Sequence, residues 1–129
     1  MVRLTRRERT MPNYMLLLYA TPAEGDEARA RWAEMPRWDA VNDSLREAGL
    51  LVGVQRLHST ESATSVRVRD GETEIVDGPF AVTKEILAGY YILDCADLDE
   101  ALKAAARLPM AEYGSIEVRP LMEMSEIPA

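Results

Sequence analysis

The segment Asp77-Gly-Pro-Phe-Ala-Val-Thr-Lys-Glu85 holds two carboxylates and an ammonium within one short stretch. Such a set can move a proton, or hold an anionic substrate against a lysine. Asp77 follows a strand-like run and precedes Gly-Pro, so its carboxylate can instead accept backbone N–H bonds in a turn. A turn-bound carboxylate has a depressed pKa, which counts against catalysis. Both readings stay open, and Asp77, Glu85 and His58 are the catalytic candidates. Lys84 and Glu85 fall in a loop, where charges are either solvated or aimed into a cleft. Phe80 is the one phenylalanine and is expected to plug the core beneath that loop. Glu117 and Arg119 alternate along a strand and so share a face, either as an edge ion pair or as a polar pocket floor. Asp77, Phe80, Lys84, Glu117 and Arg119 are therefore the candidate ligand contacts. One His and one Cys cannot supply the three or four convergent ligands of a His/Cys metal site. Cys95 on an apolar run reads as core rather than nucleophile. No glycine-rich phosphate loop or nucleophile elbow is present, so neither a metal nor an organic cofactor is expected.

These residues need a scaffold, and the patterning supplies one. Tyr14–Ala20 reads as a strand apolar on both faces. Thr21-Pro22-Ala23-Glu24 resembles a capping box, with Asp26 as a second cap. Ala28, Trp32 and Met35 share one helical face, Pro36 interrupts, and Trp38, Val41, Leu45 and Ala48 resume. This predicts one kinked helix or two abutting helices, stopped by Gly49. Leu50–Leu57 is the second strand. Thr64–Arg69 and Glu72–Val76 form a hairpin around Asp70-Gly71. Gly89–Cys95 is again apolar on both faces. Asp97 caps a helix whose predicted buried stripe is Leu98, Ala101, Leu102, Ala105 and Leu108, with Pro109 as the stop. Ser115–Met122 is the last strand. Without the hairpin the order is βαββαβ, a ferredoxin-like α+β pattern with one antiparallel sheet. Strands with no wet face imply that a second copy covers the sheet, giving a homodimer with a barrel-like interior.

The chain has 129 residues, 47% of them apolar, which suits one domain with a substantial core. Residues 13–124 are read as that domain, 1–12 as a disordered basic leader, and 125–129 as a tail. Met11 is an alternative translation start. Arg3, Arg6, Arg7 and Arg9 against Glu8 give the first ten residues +3, which leaves −10 on the rest of a chain of net charge −7. An acidic body is a poor match for nucleic acid. No run approaches the roughly 20 apolar residues of a membrane span. A single cysteine and no export signal point to a reducing cytoplasm.

Asp77–Glu85 is similar to the DGPF-x-x-x-KE signature of the YCII-related family. The resemblance continues through Ala63–Arg67, Asp70-Gly71, Gly89-Tyr90-Tyr91, Leu98–Ala101 and Gly114–Pro120, and spans residues 13–122. It implies a dimeric α/β-barrel of ferredoxin-like halves and, in bacteria, an association with extracytoplasmic-function sigma factors. Some relatives carry a His–Asp pair proposed for acid–base chemistry. Here the one histidine, His58, lies after the second strand instead of on the first helix, so that mechanism does not transfer. Val82 also stands where the DGPF branch commonly has an acid. Three functions remain: a binder or converter of a small, anionic molecule beside the DGPF loop, a non-catalytic regulatory module, or a dimeric scaffold without ligand.

Overall fold

A computed structural model describes residues 13–128. The expected basic leader and Met11 lie outside the described residues. The chain forms a mixed α+β domain. In order come β1 (Tyr14–Ala20), α1 (Gly25–Trp32), α2 (Met35–Glu47), β2 (Leu51–Arg56), β3 (Thr64–Arg69), β4 (Glu72–Asp77), β5 (Ile86–Leu93), α3 (Leu98–Ala106) and β6 (Ser115–Pro120). Four strands make an open antiparallel sheet in the order β2-β5-β1-β6, while β3 and β4 pair separately. Among the described residues no helix is long and apolar enough to cross a membrane.

Strand β1 sits between β5 and β6, and its alternate residues take different fates. Tyr14, Leu16, Leu18 and Ala20 are buried, as are Tyr91 and Leu93 beside them. Leu45 of α2, Ala101, Ala104 and Ala105 of α3, and Leu108 close over this face. Each fully buried leucine contributes about 1.5–3 kcal/mol relative to an exposed one. The opposite face carries Met15, Leu17 and Tyr19, which are half-buried. Met15 and Leu17 lie opposite Ile92 and Tyr90 on one side, and Arg119 and Glu117 on the other.

Local chemistry explains the breaks between elements. Two abutting helices form, and Pro36 sits in the first turn of α2, where its missing N–H has no intrahelical partner to lose. Gly49 adopts φ +74 after α2. Its amide reaches Arg46 and that of Leu50 reaches Leu45, closing the helix with paired reverse bonds. Asp70 and Gly71 both have positive φ, the twist that a two-residue hairpin needs.

Three expectations need correction. Thr21 and Pro22 do not cap α1, which starts at Gly25 with Glu24 before it and no side-chain cap. The Thr21 carbonyl instead accepts from Arg31 Nη1 at 2.8 Å. The buried stripe of α3 is rotated: Ala104 is inside, while Leu98 and Leu102 are each 46% exposed. The small alanines let the helix lie close to the sheet, so its leucines fall to the flanks. The outer strands are also shorter than predicted, because β2 and β6 end at Arg56 and Pro120, and β5 starts earlier, at Ile86. The hairpin forms as predicted, and its apolar side chains are exposed, Val66 by 65% and Ile75 by 70%.

Asp97 accepts from the Glu100 amide at 2.9 Å, and the Glu100 carboxylate accepts from the Ala96 amide at 2.8 Å. Asp97→Ala should therefore cost about 1 kcal/mol. Urea denaturation should show a lower midpoint at unchanged slope.

Candidate functional site

A cavity of about 410 Å³ opens between α1, the first half of α2 and the β2–β5 side of the sheet. Small residues leave room in its wall, which includes Ala20, Ala23, Ala28, Ala88 and Gly89. Helix α1 buries none of its residues and so stands off the sheet. Helical spacing brings Ala28, Arg31 and Trp32 to the cavity from α1, and Met35, Trp38 and Asn42 from α2. Strand β2 adds Val54 and Arg56, β5 adds Tyr91, and Tyr113 follows a 3₁₀ turn at Pro109–Glu112.

The Tyr91 hydroxyl, inside this cavity, donates to Asn42 Oδ1 at 2.5 Å and ties β5 to α2. Burial pushes the Tyr91 phenol up to about 12, against the opposing effects of the Asn42 bond and the Arg56 charge. Burial also raises Tyr113, opposed by Arg31 and Arg56 and reinforced by Glu34 and Glu112. Arg31 stacks over the Tyr113 ring at 4.5 Å and pairs with Glu27 at 2.9 Å. Arg56 stacks over the Trp32 ring at 4.9 Å and reaches Met35 Sδ at 3.1 Å. Among the described residues it has no carboxylate partner. Outside the cavity, Arg37 grips Glu112 with two bonds of 2.7 and 3.1 Å, fixing the turn that delivers Tyr113. These bonds and the Arg37 charge hold the Glu112 carboxyl below its usual range.

The residues singled out in the sequence lie elsewhere. Asp77 ends β4, exposed and opposite Thr64. Its carboxylate makes no hydrogen bond among the described residues. The turn is held instead by the Gly78 amide donating to the Ala63 carbonyl at 2.7 Å and the Ser65 hydroxyl donating to the Gly78 carbonyl at 2.8 Å. Phe80 is 79% exposed, so it does not plug the core. Phe80 borders a depression with Ser65, Arg67, Glu74, Val76 and Pro79. Lys84 is exposed, and Glu85 lies 3.5 Å from Ser115 at the start of β6. Glu117 and Arg119 share the open face of the sheet but form no ion pair among the described residues. His58 is exposed between Leu57 and Ser59, both of which border the cavity. Cys95 is fully buried in the core. Among the described residues no three His, Cys, Asp or Glu side chains are placed to hold a metal ion.

Sequence reasoning missed Arg31, Asn42, Arg56 and Tyr113, which come from four separate elements with no shared motif. One signal was available: both tryptophans of the chain fall on apolar helical faces.

The Tyr91 phenol holds its proton more tightly in the folded protein than near pH 10 in the unfolded chain. Its stabilising contribution is complete below pH 10 and is lost as pH rises toward 12. An absorbance titration should show one phenol ionising last, and Tyr91→Phe should remove that phase.

Comparison with known proteins adds a family to this geometry. Residues 12–125 match the model of the YCII-related domain. The chain is 45% identical over 114 residues to the uncharacterized protein R00369 of Rhizobium meliloti (strain 1021), an alignment covering 81% of this chain and 92% of that protein. The match takes in the four-stranded sheet, the hairpin and every residue of the cavity wall, and the chain belongs to the YCII-related domain family.

Proposed function

We propose that this domain binds a small, planar, largely apolar molecule in the cavity between α1, α2 and the sheet. The observation that carries the reading is the cavity itself: about 410 Å³ with two tryptophans, two tyrosines and two arginines on its wall. That volume lies within the range of small-molecule sites, and a mostly apolar wall with few polar groups is their usual make-up. The ligand site thus moves from the DGPF loop to the helix side of the sheet, with Leu57, Ser59 and Ile86 at the border between them. Thermal-shift screening with aryl compounds tests this. A ligand at a hundredfold its Kd adds about 2.7 kcal/mol of stability. Ala88→Leu fills the cavity from the sheet and should abolish the shift while the protein stays folded. Hits that survive this substitution, or no hits across a broad library, would sink the reading.

A second reading concerns assembly. We infer that the domain is ferredoxin-like and that two copies pair through their open faces as a dimeric barrel. The support is apolar surface that this chain leaves half-covered: Met15, Leu17, Tyr19, Tyr90 and Ile92 on the sheet. Such a face is unusual on a monomer. Pairing would carry Glu117 and Arg119 inside, where each charge needs a partner. Light scattering should give twice the chain mass of 14.4 kDa, and Leu17→Glu should give the monomer. A wild-type monomer would contradict it.

A further inference from the structure

The two guanidinium groups at the cavity are not equivalent. Arg31 is engaged by Glu27 and by the Thr21 carbonyl. Arg56 rests on Trp32 with no carboxylate partner among the described residues, and its one polar contact there is the Met35 thioether. A guanidinium stacked on an indole keeps its N–H edge free for a carboxylate, which it can grip with two parallel bonds. Asn42 supplies a second polar point. Its Oδ1 is taken by the Tyr91 hydroxyl, which fixes the amide so that Nδ2 is left as a donor. That donor makes no hydrogen bond among the described residues, yet Asn42 lines the cavity. Val54, Ala88 and Trp38 add apolar wall to the same cavity.

We propose that the ligand is an aryl acid: its carboxylate binds Arg56 beside Trp32, and another position on the ring carries a hydrogen-bond acceptor taken by Asn42 Nδ2. This deepens the proposed function and rests on the cavity being a ligand site. A neutral ligand leaves Arg56 unpaired. A ligand without the acceptor leaves the amide N–H unmatched in a largely apolar site, which selects against it.

Three probes separate the two contacts: para-acetylbenzoate, its neutral amide, and para-isopropylbenzoate, which matches the acetyl shape but lacks its oxygen. The chain's two tryptophans both line the cavity, so their indole N–H signals in a proton–nitrogen correlation spectrum report occupancy. The amide and the isopropyl acid should each bind about tenfold more weakly than para-acetylbenzoate. Arg56→Gln should erase the first difference and keep the second. Asn42→Asp preserves the acceptor for Tyr91 but removes the donor, and should erase the second difference. Equal binding of all three probes overturns this inference and leaves the cavity reading standing. So does a silent response to all three when other aryl compounds shift the indoles. If no aryl compound shifts them, both readings fall.

Discussion

The hydrogen bond from Tyr91 to Asn42 is the tie on which the site depends. Tyr91 stands on β5, in the middle of the sheet, and Asn42 is midway along α2. The bond joins the two layers beside a space that side chains do not fill. A buried phenol without a partner would cost about 1–3 kcal/mol, so the tie holds α2 at a set distance from the sheet. It also fixes the tautomer-like choice of which end of the Asn42 amide faces inward. Cavity shape and cavity polarity therefore share one cause.

The rest of the domain supplies rigidity around that tie. On the same sheet face, Leu16 and Leu93 share one core with Leu45 of α2 and the alanines of α3. The difference between the two ends of the sheet is one of side-chain volume. Where α3 lies, leucines on the sheet meet alanines on the helix. Where α1 lies, the sheet offers Ala20, Ala88 and Gly89, and the helix, which contributes Ala28, Arg31 and Trp32, buries nothing. The exposed Arg37–Glu112 pair adds little energy of its own. Its role is positional, because it fastens the turn that brings Tyr113 to the cavity rim.

Much of the fold was legible because local chemistry and tertiary structure agree. The two-faced strand at Tyr14–Ala20, the Asp70-Gly71 turn, the Gly49 stop and the Asp97 cap each follow from a short-range rule. The register of the α3 stripe was not legible, because alanine and leucine are both apolar and only packing distance decides between them. The site was hidden for a different reason. Arg31, Asn42, Arg56 and Tyr113 converge through topology and carry no spacing signature. The charged residues of Asp77–Glu85 are close in sequence, and closeness in sequence says little about convergence. Helical spacing groups Trp32 and Trp38 with apolar neighbours, but such a face can line a void as well as a core, and Trp32 is 61% exposed.

Ligand binding requires the void between α1 and the sheet. Crystals of the protein soaked in a mixture of small aryl fragments test it most directly. The expected result is fragment density between Trp38 and Ala88, with the Tyr91–Asn42 bond intact and Arg56 still over Trp32. A closed structure, with α1 collapsed onto β2 and Trp32 occupying the space, would contradict it.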